Sequence, residues 1–460
     1  MLPAISERRI VWLVALVQFV NVLDFVMVMP LGPDFGRALG IPLSHIGIIG
    51  GSYTLAAAIS GLICATFLDR FDRRSALLVA LSGLVVATAS GAFATDFDSL
   101  VFARVLAGMF GGPATAIGLS MVADVVPPER RGRAMGIVMS AFSVASVLGL
   151  PIGLECARVF GWWTPFVGVA SLGALIAVAI LFMMPSLTLH LQRAASLPPE
   201  KRGPAAVLRA MWRLATTRAG ALTLTSMFVA MFAAFMIIPN ISTFIQFNGH
   251  YPRADLGLLY LAGGGVSLAA MNRGGRLVDQ FGSVPVAAFG TVLAAITLGL
   301  GFAPGYPLIP VYVVFMLFMG AQSLRAVAMN SLGSRVPRAH ERARYQALQA
   351  AVTHAACAAG AMTSTVFLVE LPDGSLDGMT GLTILAMMMF LSLPFLLMPV
   401  ERIVRREEAE NPEYRTYGPS FAQPAGPVPA APIPLATSQP AGVGSAGVAA
   451  TAGPRSSSPD

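Results

Sequence analysis

Residues 67–74 read FLDRFDRR and residues 276–282 read RLVDQFG, and each of these polar stretches separates two long apolar runs. The two stretches align at an offset of 210 positions, which places Asp69 on Asp279. The same offset aligns, in pairs, Phe71 with Phe281, Gly47 with Gly257 and Pro127 with Pro337. A register shared over this distance indicates that the chain contains one membrane module twice.

The amino-acid composition is typical of a membrane protein. Of the 460 residues, 55% are hydrophobic and 12% are charged, whereas soluble domains carry about 25% charged residues. A helix needs about 20 mainly apolar residues to cross a bilayer, and twelve stretches meet this requirement. They begin near Ile10, Ser44, Ser75, Ser99, Arg133, Trp163, Ala219, Ala254, Val284, Tyr306, Tyr345 and Gly378. We predict an all-α membrane protein of twelve transmembrane helices, in two six-helix bundles related by pseudo-twofold symmetry.

Changes in composition along the chain predict its boundaries. Residues 1–185 form the first bundle and residues 219–400 the second, on either side of a basic central loop at 186–218. Within this loop, residues 205–214 are predicted to form a short amphipathic helix on the membrane surface. Residues 401–460 become charged and then rich in Pro, Ala, Gly and Ser. Such a segment buries too little apolar surface to fold, and we expect a disordered tail.

The basic residues predict the orientation in the membrane. Of the 30 Lys and Arg residues, all but five fall on one side of the predicted topology. Three lie on the other side: Arg37, Arg158 and Arg253. Two lie within spans: Arg104 and Arg325. Loops rich in Lys and Arg stay in the cytoplasm, which predicts a multi-pass protein of the bacterial inner membrane with both termini cytoplasmic. The net charge of +7 therefore reflects topology and does not indicate nucleic-acid binding.

Three motifs resemble those of the major facilitator superfamily. The stretch at 67–74 resembles its loop between helices 2 and 3, Gly-x-Leu-Ala-Asp-Arg-x-Gly-Arg-Lys, with the charged positions occupied by Asp69, Arg70, Arg73 and Arg74. The second copy keeps Gly275, Leu277, Asp279 and Gly282. In helix 4, Arg104-x-x-Ala107-Gly108 resembles an Arg-x-x-Gln-Gly motif. In helix 5, a Gly/Pro antiporter motif has its counterparts at Gly149, Pro151 and Gly153.

The resemblance implies a function for each motif. It implies that the helix 2–3 loop stabilises the outward-facing closure, through Asp69 with Arg70 and through Asp124 with nearby arginines. The alternative for the arginines is simple anchoring at the membrane face. The helix 5 motif implies the drug:proton antiporter branch, which includes sugar, nucleoside and multidrug efflux proteins, and a helix contact that keeps leak low.

Two intramembrane charges, Asp24 and Arg104, are candidates for proton coupling. A charge in a span costs about 2.5–3.5 kcal/mol even on the lenient insertion scale, so it requires a cavity or a partner. At 1.5 Å per residue the two side chains lie at nearly the same depth, and pairing is expected. A carboxylate whose burial changes with conformation can exchange a proton. The alternative is a purely structural ion pair.

Further candidates are uncharged or titrate near neutral pH. His354 in helix 11 is a proton-coupling candidate, with a hydrogen-bonded packing histidine as the alternative. Substrate-binding candidates lie on helices 1 and 7: Asn21, Phe25, Asn240 and Gln246. In helix 7, Pro239 and Asn240 are expected to break the helix and expose backbone groups to a ligand. The phenylalanines of these helices can supply stacking surface or lipid-facing filler.

These observations predict a secondary transporter that exports a small organic molecule by proton antiport. The partners expected are the substrate, protons and the lipid bilayer, and the chain is expected to be a monomer. No nucleotide motif, metal cluster or catalytic Ser/His/Asp set occurs, so we expect neither a cofactor nor an enzyme. Alternatives are a proton-coupled importer of a small metabolite and, from another class, a transporter-like sensor or scaffold.

Overall fold

A computed structural model describes residues 4–67, 70–188, 203–303, 306–338 and 341–410, and all of these residues belong to one compact unit. Within them, twelve helical stretches are long and apolar enough to cross a membrane, six before residues 189–202 and six after. The prediction of twelve transmembrane helices is thereby confirmed. Asp69 and the tail beyond residue 410 lie outside the described residues.

The first six spans are built from eight helices, with short 3₁₀ turns at Met29–Leu31 and Leu43–His45 and a π turn at Ala145–Gly149. The helices are α1 (Ala4–Met27), α2 (Gly32–Leu39), α3 (Ile46–Phe67), α4 (Arg73–Gly91), α5 (Phe97–Val125), α6 (Pro128–Val144), α7 (Leu150–Phe160) and α8 (Thr164–Met183).

The rest of the described chain begins with a surface helix and continues with six spans. Short 3₁₀ turns occur at Ile238–Asn240 and Arg253–Asp255. The remaining elements are α9 (Pro204–Thr216), α10 (Arg218–Ile237), α11 (Ile241–Phe247), α12 (Leu256–Phe281), α13 (Ser283–Gly301), α14 (Val311–Arg335), α15 (Arg342–Phe367), the antiparallel strands β1 (Val369–Glu370) and β2 (Leu376–Asp377), and α16 (Met379–Glu410).

Proline and capping residues explain several of these boundaries. The predicted break in the seventh span is present: Pro239 lacks the N–H that an α-helix would use there, and a 3₁₀ turn separates α10 from α11. The helix α5 begins with a capping box, in which Asp96 accepts from the Ser99 amide at 2.8 Å and Ser99 accepts from the Asp96 amide at 3.2 Å. A helix is also present at the predicted position 205–214, as α9; its location on the membrane surface stays a prediction.

The predicted start of the tail at residue 401 is wrong. The helix α16 continues to Glu410, about three turns beyond the apolar segment. Three ion pairs stabilise this extension: Arg405 with Glu401 at 2.8 Å, Arg406 with Glu410 at 2.8 Å, and Arg335 of α14 with Glu408 at 2.5 Å. Charged residues that read as a soluble tail in the sequence are therefore paired at i,i+4 spacing and with a neighbouring helix.

The two halves meet along two pairs of helices. α3 packs against α15, and α12 packs against α7 and the π turn. Glycines allow these backbones to approach closely: a Cβ on Gly47 would lie 2.1 Å from the Ala361 carbonyl oxygen, and one on Gly264 would lie 3.0 Å from Val147 Cα. Close packing at small residues is the usual way in which membrane helices associate.

The spans alternate in direction, so their ends define two faces. We call the face that contains Arg73, Arg130 and Arg335 the arginine-rich face, because it carries most of the basic residues of the described chain. The opposite, arginine-poor face contains Arg37, Arg158 and Arg253.

Candidate functional site

Asp24 and Arg104 form an ion pair inside the first bundle. The Asp24 side chain is fully buried and that of Arg104 is 1% exposed. Arg104 Nη1 donates to both carboxylate oxygens, at 3.0 and 3.1 Å, and Nη2 donates to the Asp24 carbonyl oxygen at 3.1 Å. The Thr88 hydroxyl donates to the same carboxylate at 2.9 Å. The two charges thus satisfy each other away from water, which a bilayer interior requires.

Tyr53 connects this pair to Asn21. The Arg104 guanidinium carbon lies 4.6 Å from the centre of the Tyr53 ring, a cation–π distance. The Tyr53 hydroxyl donates to Asn21 Oδ1 at 2.7 Å. Asn21 Nδ2 in turn donates to the Gly111 carbonyl at 3.0 Å and to the Thr115 hydroxyl at 2.6 Å. We call these residues the Asp24 cluster: Asn21, Asp24, Tyr53, Thr88, Arg104 and Thr115.

One polar atom of the Asp24 cluster has no partner. Arg104 Nε is buried and makes no hydrogen bond in the part of the chain that the structure describes. A buried guanidinium N–H without an acceptor is costly. Arg104 Nε is therefore a donor left over in this arrangement of the cluster.

Glycines of α5 allow the cluster to form. A Cβ on Gly108 would lie 2.2 Å from the Tyr53 carbonyl oxygen, and one on Gly112 would lie 2.5 Å from the Ala57 carbonyl oxygen. At Gly111 it would lie 2.3 Å from the Tyr53 hydroxyl. The glycine of the Arg-x-x-Ala-Gly motif therefore has a physical role: it brings α5 against the α3 backbone, so that Arg104 reaches the Tyr53 ring.

We expect Gly108→Ala to destabilise the protein. The added methyl would meet a backbone carbonyl that cannot rotate away, and such overpacking costs about 1–3 kcal/mol or more. Thermal unfolding in detergent should show a lower Tm. The control is Gly136→Ala in α6, where a Cβ meets nothing within 4 Å and the better helix propensity of Ala is worth about 1 kcal/mol. Equal Tm values for the two variants would contradict this explanation.

Aromatic rings extend from the cluster into the second half. Phe25 stacks on Tyr53 with centroids 5.5 Å apart and on Phe235 of α10 with centroids 5.9 Å apart. One turn along α10, Phe228 and Phe232 stack on each other at 5.8 Å. Phe228 is 37% exposed and lies near the middle of α10. Phe25 and Phe235 thus join the first and seventh spans, and Phe228 and Phe232 add a second stacked pair on α10. We call these four phenylalanines the aromatic surface.

At the arginine-poor face, an ion pair joins the two halves. Arg253 donates to Asp34 through Nε at 3.1 Å and Nη2 at 2.8 Å, and Nη2 also donates to the Leu154 carbonyl at 3.1 Å. Both side chains are largely buried, at 14% and 13% exposure. A second link is the Leu43 amide, which donates to Glu370 at 2.6 Å. We call the contact of Asp34, Arg253 and Leu154 the Asp34 latch.

At the arginine-rich face, the described ion pairs stay within one half. Arg73 pairs with Asp124 at 3.3 Å, which places two of the predicted gating residues together. Arg74 donates to the Leu181 carbonyl. Arg70 is exposed, and its predicted partner Asp69 lies outside the described residues.

Asp72 ties the helix 2–3 loop to the chain after α8. It accepts from the Leu187 amide at 2.7 Å, the Ser186 hydroxyl at 3.0 Å and the Ser75 amide at 3.0 Å. Although partial burial raises the pKa of Asp72, these hydrogen bonds outweigh it and hold the pKa below its usual value. Asp72, which stands where the motif that this loop resembles has its second glycine, therefore anchors the loop within the first half.

The second copy of the loop differs in its contacts. Gly282 has φ +93° and lies against Glu401 and Arg405, which are 3.2 and 3.3 Å from where its Cβ would be. Gly275 faces open space, and Asp279 is exposed. The glycine at 282 is required by its backbone conformation, while no described contact involves the Asp279 carboxylate.

The antiporter motif lies at the contact between the halves. Pro151 cannot donate to the Val147 carbonyl, and the π turn Ala145–Gly149 directly precedes it. A Cβ on Gly149 would lie 2.7 Å from Leu23, whereas Gly153 has only Pro165 nearby, at 3.9 Å. The motif thus shapes the backbone that packs against α12, with Gly149 as its tightest position.

The remaining predicted residues are not part of the Asp24 cluster. His354 lies in α15, and its Nδ1 is buried without a partner among the described residues. Asn240 is fully buried and donates to the Met236 carbonyl at 3.1 Å, and Gln246 donates to the Ser242 carbonyl at 3.0 Å. These two amides make local helix contacts near the arginine-poor end of the seventh span. Arg325, 2% exposed, lies 4.1 Å from the Phe390 ring centre.

Sequence reasoning missed Tyr53, Thr88, Thr115 and the Asp34 latch. The available signal was the spacing of Asn21, Asp24 and Phe25, which places the three side chains on one face of α1. Within the described residues, no group of three or more His, Cys, Asp or Glu side chains is placed to hold a metal ion.

The fold and these motifs agree with the comparison to known families. The model of the Major Facilitator Superfamily matches residues 14–361 and 223–451. The chain belongs to this superfamily. It is a multi-pass membrane transporter and not an enzyme.

The following relatives and solved structure share at most about a third of their aligned residues with this chain. The chain is 28% identical over 267 residues to a chloramphenicol resistance protein of Streptomyces lividans, covering 58% of this chain and 66% of the relative. It is 30% identical over 178 residues to a probable sugar efflux transporter of Pasteurella multocida, covering 38% and 43%. Among solved structures, the inward-open xylose transporter XylE from E. coli matches with a TM-score of 0.62 at 16% identity, covering 85% of this chain and 96% of that one. These alignments span less than two thirds of each curated relative's length, and the structural match supports the fold.

Proposed function

We propose that this transporter exports a small organic molecule in exchange for protons. The observation that carries the proposal is the ion pair of Asp24 and Arg104, buried at 0% and 1% exposure within a bundle of membrane spans. A carboxylate kept in such a place at a cost of several kcal/mol per charge requires a functional reason. The names of the relatives, one for chloramphenicol resistance and one for sugar efflux, support export.

In this mechanism, protonation of Asp24 breaks the ion pair. Arg104 then loses the acceptors of Nη1 and turns towards another acceptor, with Nε already without one. The movement is transmitted through the Tyr53 ring to Asn21 and Phe25, which lie within one turn of Asp24 on α1. Proton uptake thereby changes the surface that we assign to the substrate. His354 is a second proton-carrying candidate, because its buried Nδ1 lacks a partner.

The substrate surface in this proposal is mainly aromatic. It consists of Phe25 together with Phe228, Phe232 and Phe235 of α10, and Asn21 supplies the polar contact. Asn240 and Gln246 would contribute after the arginine-poor face opens, since both are now near the closed end of the seventh span. An aromatic or amphiphilic neutral molecule fits this surface better than a highly charged one.

The orientation belongs to the same proposal. The arginine-rich face is cytoplasmic by the positive-inside rule, which places both termini in the cytoplasm of a bacterium and the Asp34 latch outside its inner membrane. The described state is then closed to the outside. The protein acts as a monomer. The loop between α3 and α4 stabilises the alternative state, which faces outward and is closed at the cytoplasmic face.

Reconstituted protein tests direction and coupling together. Proteoliposomes with a trapped pH indicator and an acidic interior receive chloramphenicol or xylose, the substrate classes named for relatives and neighbours. For antiport we expect substrate to accumulate inside as protons leave, with no such movement in protein-free vesicles. Accumulation of substrate inside only when the exterior is made acidic instead, so that protons enter with it, would indicate the importer. Movement of neither compound, together with no response to other aromatic molecules, would contradict the transport proposal.

A further inference from the structure

A cavity at the arginine-rich face lies outside the Asp24 cluster and the aromatic surface. Its volume is about 540 Å³. It is enclosed by the end of α9, the start of α10, the segment after α14 and the end of α16. Its lining includes five charged side chains and the apolar Ile403; the charged ones are Arg213, Arg218, Arg338, Glu341 and Glu407.

The cavity carries one net positive charge. Three arginines and two glutamates line it. Arg213 pairs with Glu341 at 2.6 Å, while none of the described carboxylates pairs with Arg218, which lines the cavity and is exposed. The charge balance matches a single negative charge and suits neither a cation nor a multiply charged anion.

The helix α9 bears an unpaired apolar stripe beside this cavity. One side of the helix is buried, with Met211 and Leu214 at 4% and 7% exposure. On the other side, Leu208 and Trp212 are 52% and 72% exposed and stand one turn apart. A basic amphipathic helix with exposed Trp and Leu at a membrane face lies in the interface between headgroups and acyl chains.

We propose that this cavity binds the headgroup of an anionic phospholipid, such as phosphatidylglycerol. The phosphodiester carries one negative charge, which the net charge of the cavity neutralises. Arg218 and Arg338 contact the phosphate, and the acyl chains follow Leu208 and Trp212. A zwitterionic lipid has no net charge to neutralise and binds more weakly.

The location gives the bound lipid access to both halves. α9 packs against α3 of the first half and against α10 and α15 of the second. The lipid therefore holds in place the one described surface helix that contacts both bundles at the arginine-rich face.

Native mass spectrometry of the full-length protein in detergent tests this proposal. Short-chain phosphatidylglycerol and phosphatidylcholine of equal chain length are titrated separately. We expect about 10-fold tighter retention of phosphatidylglycerol, and a loss of about 10- to 30-fold in Arg218→Gln/Arg338→Gln, since each arginine near an anionic lipid contributes about fivefold. Arg218→Gln alone is also measured, because Arg338 has further contacts within the protein. We expect this single variant to bind phosphatidylglycerol about fivefold more weakly than the wild type.

The matched control is Arg209→Gln, an exposed arginine of the same helix that does not line the cavity. It should retain phosphatidylglycerol like the wild type. An equal loss in Arg209→Gln would show a general effect of surface charge and overturn the proposal, as would equal retention of the two lipids. Inorganic phosphate is added as a competitor; if it displaces the lipid at equal concentration, the cavity is a site for free phosphate and the lipid proposal is wrong.

Discussion

Asp24→Asn is expected to abolish substrate-driven proton movement while leaving substrate exchange between the two sides of the membrane intact. Asparagine is nearly isosteric with aspartate and can still accept from Thr88 and Arg104, but it cannot take up a proton. Pyranine-loaded proteoliposomes report proton movement after addition of substrate, and counterflow of labelled substrate reports binding and alternation. A structural ion pair would give a different pattern, in which both activities fall together.

Two further variants keep this result interpretable. Removing one charge of a buried pair costs about 3–5 kcal/mol because the other is left unpaired, so Asp24→Asn/Arg104→Gln should be better folded than Asp24→Asn and equally unable to move protons. Asp98→Asn changes an exposed carboxylate at the start of α5 and should behave as wild type. Proton movement at the wild-type level in Asp24→Asn would remove this residue from the mechanism.

Arg253→Gln is expected to shift the protein away from the state closed at the arginine-poor face. The Asp34 latch joins the two halves through charged hydrogen bonds of a largely buried pair, and such bonds are worth about 1.5–3 kcal/mol. The population closed at this face should therefore fall about 10-fold or more relative to the alternative. Spin labels at Thr95 and Tyr306, one in each half on this face, measure the separation in a background without Cys64, Cys156 and Cys357.

Arg158→Gln provides the matched control for the latch. Arg158 lies on the same face but pairs with Glu155 within α7, so its loss does not release one half from the other. The distance distribution should stay as in the wild type. An equal shift in Arg158→Gln and Arg253→Gln, or no shift in either, would mean that the Asp34 latch does not hold the two halves together.

The sequence predicted those features of the site that depend on depth in the membrane. Asp24 and Arg104 were expected to pair because the rise per residue, counted from opposite membrane faces, puts the two side chains at the same depth. In the structure Arg104 Nη1 lies 3.0 Å from Asp24 Oδ1. Tyr53 and Thr88 were not found, because their contacts depend on how α3 and α4 are rotated about their axes. The tail was misjudged at 401–410 because its charges are paired with one another at i,i+4 spacing and, through Glu408, with Arg335 of α14.

The repeated loop also shows which features could be predicted from the sequence and which required the tertiary structure. Asp69 and Asp279 align in sequence, but Asp72 holds the first loop to the chain after α8, whereas Gly282 lies against Glu401 and Arg405 of α16. The symmetric pattern predicted two bundles. It did not predict that the partners of the two loops would differ.

The sequence by itself determined the number of spans, their order and which ends share a face. It could do so because the bilayer acts on each helix separately: about 20 apolar residues are needed wherever a helix crosses. The tertiary structure alone decided which side chains meet across helices, including the Asp24 cluster and the Asp34 latch. Those contacts depend on the close approach of backbones at Gly47, Gly108 and Gly264, and the position of a glycine in the sequence does not reveal which helix it faces.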